Sequence, residues 1–279
     1  MSSNRLSVLT WNIHFGSASM LDALAELATA PDVVTLQEVT VEHAQALLNR
    51  LRDLGYESVC SSDPDSGKPR YGNVIAARAE ITLLDLTAHP FPYPQLAAHA
   101  RVDTPDGSIN VVTVHVPNGS GYGWEKIDTL DALKQLTLRL KGEPLVVTGD
   151  FNEPRYAMQD GQVVTWGQEK FGGRWEVEEG KWEDGNGIAD EWGRWDKTVR
   201  WFFESPEESG IRNAFWDFAG RGTMEASHFS RSAPRWFDHV FISDDFRVDN
   251  CRYLHAFREE KYSDHSALLA VLRSGSGSK

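Results

Sequence analysis

Short runs of apolar and β-branched residues recur along the whole chain, interspersed with helical periodicities, and one after another they stop on a polar residue. The clearest case is Leu145-Val146-Val147-Thr148-Gly149-Asp150-Phe151-Asn152-Glu153-Pro154. Side chains of an extended strand alternate between faces, so Asp150 and Asn152 are expected to point the same way. Pro154 then ends regular pairing. A carboxylate beside a carboxamide at the end of a buried strand suits work on a phosphate. The acid can orient and deprotonate a water, and the amide can donate hydrogen bonds without carrying charge. The same spacing also fits an Asx-turn leaving the core, so this stretch alone leaves both readings open.

Taken in order, Leu6–Trp11 reads as a strand ending at Asn12, and Ser19 as the cap of a helix carrying Leu21, Leu24 and Leu27. Val33–Leu36 is a strand running into Gln37-Glu38. A helix from Thr40 to about Leu54 has Ala44, Leu47, Leu48, Leu51 and Leu54 as its stripe and Gly55 as its stop. Strands are expected at Tyr56–Cys60, Asn73–Ala77, Ile81–Thr87, Ala97–Val102 and Ile109–Val116, with a hairpin turn at Asp106-Gly107. An amphipathic helix follows over Trp124–Leu140. Residues 155–235 are less regular and rich in tryptophan, with a hairpin expected at Glu176–Trp182 and a helix at Asp190–Glu204. Strands Phe237–Ser243, Phe246–Ala256 and Ala267–Leu272 close the chain. Many strands with interspersed helices, without a repeat or a low-complexity linker, indicate one α+β domain on two packed sheets over residues 1–272. The Trp-rich stretch would be an insert, and 273–279 a flexible tail.

Charge narrows the function. With 28 basic and 41 acidic residues the net charge is −13. Phosphate binding rests on Lys and Arg, so this balance argues against a tight non-enzymatic DNA binder. A metal-dependent enzyme stays open, because a bound divalent ion reverses the local field. Two cysteines form no disulfide framework, and Met1–Leu6 leads into a strand without a signal-peptide core. A cytoplasmic protein is therefore expected, with no membrane span and no evident protein partner.

Each polar strand end admits a structural and a chemical reading. Glu38 is an exposed acid or an oxygen ligand for Mg²⁺. Asn12 is a turn residue or a neighbour of that ligand. His115 is a satisfied structural histidine or a catalyst, and Asn118-Gly119 is a plain turn or a substrate contact. Asp238 sits in an apolar strand and needs a partner. His265 can supply one, with the acid fixing the tautomer and stabilising the imidazolium. Asp264 is then left for a metal or water.

Trp11-Asn12-Ile13, Leu36-Gln37-Glu38, Val116-Pro117-Asn118-Gly119, Gly149-Asp150-Phe151-Asn152, Phe237-Asp238-His239-Val240 and Ser263-Asp264-His265 stand in one fixed order. The set resembles the endonuclease/exonuclease/phosphatase superfamily over roughly residues 6–272. The resemblance implies a four-layer α/β/β/α sandwich and a hydrolase using Mg²⁺ or Mn²⁺, most readily a nuclease with nucleic acid as substrate. A phosphatase or phosphodiesterase for small or lipid-derived phosphates is the alternative it allows. It further implies that Glu38 ligates the metal, with Asn12 and Asp264 near it. Asp150 would activate water with help from Asn152, and His265 paired with Asp238 would contact the scissile phosphate. His115 stands where exonuclease III-like members carry tyrosine, which is closer to deoxyribonuclease I. His14 replaces the acid or amide that many nucleases carry two residues after the first asparagine. Specificity would come from the 155–235 stretch, where Arg155, Arg174, Arg194, Arg200, Arg231 and Arg235 interleave with tryptophans that either stack bases or pack the insert. Arg235 and Trp236, next to Asp238, are the expected pocket-lining pair.

Overall fold

The computed structural model describes residues 5–61, 70–166 and 189–275, and of 189–192 the backbone alone. Two six-stranded mixed sheets face each other. The first has the order β15 (Phe246–Leu254), β16 (Ala267–Ser274), β1 (Arg5–Asn12), β2 (Val33–Thr40), β4 (Tyr71–Ala77), β3 (Glu57–Cys60). The second has the order β11 (Ile211–Asn213), β14 (Asp238–Ser243), β8 (Leu145–Asp150), β7 (Gly107–His115), β6 (Ala97–Thr104), β5 (Glu80–Leu84). Each sheet has one parallel pair at its centre, β1/β2 and β7/β8, flanked by antiparallel neighbours. Two small ribbons, β9 (Tyr156–Ala157) with β10 (Val163–Val164) and β12 (His228–Ser230) with β13 (Ala233–Arg235), sit outside the sheets.

Helices cover the outer faces. They are α1 (Asp22–Ala25), α2 (Val41–Asp53), α3 (Gly119–Tyr122), α4 (Glu125–Arg139), α5 (Ala189–Glu204), α6 (Pro206–Ser209), α7 (Ala214–Ala219) and α8 (Ala256–Glu259). The Thr40 hydroxyl accepts from the His43 N–H and starts α2, whose Leu47 and Leu51 bury against Leu9, Trp11, Val34 and Leu36 of the first sheet. On the second sheet, Ile127, Leu130 and Leu133 of α4 pack with Val199 and Phe202 of α5 over Val147, Phe151 and Phe241. The result is the expected α/β/β/α sandwich. None of the described helices is long and apolar enough to cross a membrane.

Between the sheets, period-two alternation aims Val8, Thr10 and Asn12 of β1 inward and Leu9 and Trp11 outward. Thr35 bonds Thr148 across the gap at 2.9 Å, and the Gln37 amide donates to Thr10 and Thr113 at 3.1 and 3.0 Å. These buried polar groups are satisfied only when the sheets stand in one relative position. Close approach is also enforced between β7 and β8. Gly149 has φ 136°, and a Cβ there would lie 1.9 Å from the Val114 carbonyl oxygen. Gly149→Ala should therefore lower stability by about 3 kcal/mol or more. Thermal denaturation reads this directly, and an unchanged melting temperature would contradict so tight a contact.

Three expectations are corrected. The Ser19-capped helix is a 3₁₀ turn, Ala18–Leu21, leading into the single turn of α1, and Leu27 lies beyond both. β2 does not end at Leu36 but continues to Thr40 through an irregularity between Leu36 and Val39. The tail starts later than residue 273, because β16 pairs Arg273 with Arg5 and runs to Ser274. The hairpin at 176–182, with Trp175, Trp182 and Arg174, lies outside the described residues.

Candidate active site

The inward-facing ends of β1, β2, β7, β8 and β14 meet at one edge of the sandwich. Asn12 closes β1, His115 closes β7 and Asp150 closes β8, with His115 and Asp150 adjacent in parallel register. Asp238 opens β14 directly across from Asp150 and on the same face. Glu38 arrives differently. Strict alternation after Gln37 would send it outward, but it takes φ 59° inside the irregularity of β2, and Val39 returns to the outer cluster. A bulge of this kind re-aims one side chain without shifting the strand.

The amide of Asn12 clamps the two acids, donating to Glu38 Oε1 at 3.0 Å and to Asp150 Oδ2 at 2.9 Å. Its carbonyl oxygen is taken by the His14 N–H. Asn12 therefore holds the two carboxylates together. His115 Nε2 lies 3.6 Å from Glu38 Oε1 and 3.7 Å from Asp150 Oδ2. The ligand atoms of Glu38, His115 and Asp150 fall within 4.8 Å of one another, and Glu38 Oε2 is buried without a hydrogen-bond partner. Burial pushes the Glu38 carboxyl up and the Asp150 carboxyl to about 6, while it pushes the His115 imidazole down.

Asn152 joins by a turn and not by strand alternation. It has φ 50°, its N–H donates to Asp150 Oδ1 at 2.7 Å, and its amide donates to the Val116 carbonyl. The Asx-turn and the phosphate-site readings of this stretch thus describe the same geometry. His265 follows β15 in a loop fastened to β1, since Ser263 Oγ donates to the Asn12 carbonyl and accepts from the His265 N–H. His265 Nδ1 meets Asp238 Oδ2 at 2.8 Å, and Nε2 faces Asp150 Oδ2 at 3.9 Å. Burial alone would lower this imidazole, but Asp238 and Asp150 more than offset it and raise the ring to about 10.

Four further expected residues have settings of their own. Asp264 is half-exposed beside His265, with Oδ1 3.9 Å from His265 Nε2 and 3.4 Å from His14 Nδ1, and Oδ2 3.8 Å from His228 Nδ1. Asn118 caps α3 through bonds from Gly121 and Ser120, leaving only its amide to face outward. Trp236 does not line a pocket. It is fully buried among Phe203, Trp216 and His239 with its N–H on Tyr253 Oη, in the short link between β13 and β14. Arg235 is also buried, paired in register with His228. Trp195 and Trp201 likewise pack the 155–235 stretch inward, and Arg194 pairs with Asp128 and Asp131 of α4.

Several neighbours escaped sequence reasoning. His228 stacks on His265 with ring centroids 4.5 Å apart. Tyr71 lies against His115 at 5.5 Å, and its hydroxyl is pushed up by burial. Behind Asn152, the buried Lys126 ammonium donates to the Asn152 carbonyl at 2.7 Å and meets Glu153 at 3.2 Å. Glu153 in turn accepts from the Trp166 N–H and the Trp195 indole. Only the Ser-Asp-His spacing and the Glu following Asn152 were visible hints, and neither names its partner.

Solved structures share this architecture along nearly the whole chain. A humanized D. rerio TDP2 matches at TM-score 0.63 and 18% identity, covering 98% of this chain and 100% of that one. The 3′ phosphatase NExo from Neisseria, bound to a product DNA hairpin, matches at 0.64 and 20%, covering 95% and 98%. An AP endonuclease from Archaeoglobus fulgidus matches at 0.65 and 18%, covering 95% and 98%. No curated protein matches the sequence. The family model described as Endonuclease/Exonuclease/phosphatase family matches residues 9–265, from within β1 to the histidine paired with Asp238. On that match, which takes in all six motifs and the whole second sheet, the chain belongs to the endonuclease/exonuclease/phosphatase family.

Proposed function

We propose that this chain is a divalent-metal-dependent phosphodiesterase that hydrolyses nucleic acid by in-line attack of water. The observation that carries the reading is a pair of carboxylates, buried Asp150 and half-buried Glu38, clamped by one asparagine and facing a histidine held protonated by Asp238. Two acids in one dry site are unfavourable without a cation, and the orphaned Glu38 Oε2 points to one. The donor set fits a hard ion: Glu38 and Asp150 would hold Mg²⁺ or Mn²⁺, with His115 favouring the latter. When bound, that ion supplies charge neutralisation at the phosphate oxygens.

The remaining roles belong to the side chains. Asp150 orients the attacking water and takes its proton, and the turn through Asn152 fixes the direction of that carboxylate. His265 donates from Nε2 to the phosphate, while Asp238 keeps its Nδ1 protonated and its ring oriented. Nucleic acid is the favoured substrate because the fold neighbours include a TDP2 with single-strand DNA product and NExo with a DNA hairpin. A net charge of −13 without a basic run favours the second reading, a small or lipid-derived phosphoester.

A panel of plasmid, single-stranded DNA, RNA, abasic duplex, a chromogenic diester and inositol phosphates separates the two. Polynucleotide cleavage is expected with Mn²⁺ or Mg²⁺ and should disappear with EDTA. Glu38→Ala should weaken Mn²⁺ binding in calorimetry by about 100-fold. Cleavage that persists in EDTA would remove the metal reading. Turnover confined to small phosphates would select the second substrate class.

A further inference from the structure

Beside the catalytic cluster lies an open pocket of about 570 Å³, lined by His14, Phe229, Arg258, Lys261, Tyr262 and Asp264 among others. We propose that it is a subsite for the nucleotide adjoining the scissile phosphate, with the base on Phe229 and a flanking phosphate against Arg258 and Lys261. The inference rests on the nucleic-acid reading above.

The ribbon β12/β13 straddles the two regions. On β12, His228 turns inward to stack on His265, so the next residue, Phe229, turns to the opposite face and is 46% exposed. Arg258 on α8 lies over the Phe229 ring at 4.5 Å, and its guanidinium is held by a bond to the Ala226 carbonyl at 2.8 Å. An aromatic ring with an anchored guanidinium against it is a stacking platform that tolerates any base. Lys261, at φ 64°, turns the chain back over α8, so that Ser263 reaches the Asn12 carbonyl at 2.6 Å. That bond ties the pocket wall to the residue that clamps Glu38 and Asp150. His14 continues the connection, with Nδ1 3.4 Å from Asp264 Oδ1 and 3.8 Å from Glu38 Oε2.

Charge supports the same occupant. Among the described residues neither Arg258 nor Lys261 makes a salt bridge, although acids outnumber bases 41 to 28 in the chain. Glu259 and Glu260 stand between them in sequence but do not line the pocket, whose one carboxylate is Asp264. Unpaired cations beside an exposed ring fit a base with its phosphate; a small polyphosphate would use the cations and leave the ring idle.

The test compares Phe229→Ala, Arg258→Ala and Lys261→Ala on a fluorescein-labelled single-stranded hexanucleotide, bis(4-nitrophenyl) phosphate and an inositol polyphosphate, all with Mn²⁺. Binding of the hexanucleotide to each variant is also read by anisotropy in an Asp150→Ala background. Phe229→Ala and Arg258→Ala should each raise the hexanucleotide KM and Kd by about tenfold, and by far more than they change the KM of the small diester. Lys261→Ala should flatten the salt dependence of hexanucleotide binding. Equal effects on both diesters, or a hexanucleotide Kd unchanged by all three variants, would overturn the subsite while leaving the nuclease reading intact. Loss of inositol phosphate turnover in Arg258→Ala and Lys261→Ala but not in Phe229→Ala would assign the pocket to an extra phosphate and overturn it too. A wild-type protein that binds and cuts no nucleic acid would remove the underlying reading, and the subsite with it.

Discussion

Asp150→Asn should cut phosphoester turnover by roughly 10³-fold or more and leave the metal-free protein at least as stable as wild type. Activity falls because an amide cannot take a proton from water. Stability moves the other way through burial. The Asp150 carboxyl is raised to about 6, above its unfolded value, so its favourable contribution is complete at low pH and is lost as pH rises through 6. At pH 8 the charged form therefore opposes folding by about 3 kcal/mol, at 1.36 kcal/mol per pKa unit. The substitution also sets two amide donors, Asn12 and the new side chain, against each other, which costs about 1 kcal/mol and does not reverse the sign. Mn²⁺ should raise the melting temperature of wild type and leave the variant nearly unmoved. Thermal shift with and without the ion, beside a turnover assay, decides it. A variant retaining a tenth of the activity, or melting well below wild type at pH 8, would refute the role given to this acid.

Asp238→Asn should have the second largest effect, a fall of roughly 10³–10⁴-fold at pH 8. With Asp238 charged, His265 stays protonated to about pH 10. Without it, only Asp150 and Asp264 are left to offset burial, so the ring gives up its proton at lower pH. The alkaline limb of the pH–rate profile should then shift to lower pH, and part of the activity should return as pH is lowered. Stability carries the same signature. Because the folded ring binds its proton more tightly than the unfolded one, its contribution is complete below about pH 6.5 and is lost as pH rises through 10. The variant should lack that alkaline decline. An alkaline limb identical in both proteins would show that this pair does not control the reaction.

The strand ends were legible because alternation is local. Once β1, β7, β8 and β14 were recognised, parity placed Asn12, His115, Asp150 and Asp238 on one face, and sheet pairing brought them together. Glu38 and Asn152 reached the same place through left-handed residues that alternation does not encode. Trp236 was misplaced because it sits in the two-residue link between β13 and β14, where alternation fixes no face, and its indole reaches Tyr253 in the core. Gln37 was read as part of a motif, but its role of pinning the sheets through Thr10 and Thr113 depends on a partner 76 positions away. Lys126 and His228 gave no signal at all, since a lysine in an amphipathic helix and a histidine on a short ribbon look like surface residues until their partners are in place.

The Glu153 carboxylate has a consequence for anyone who would exchange the Trp-rich stretch for another. One buried group receives the Trp166 N–H, the Trp195 indole and the Lys126 ammonium, and that ammonium also holds the Asn152 carbonyl. A transplanted loop would have to bring its own donors to Glu153, or leave a buried charge short of partners directly behind the turn through Asn152. The stretch is thus not an interchangeable module clipped to a finished enzyme. Its described root, where Trp166 and Trp195 meet Glu153, is part of the floor of the site.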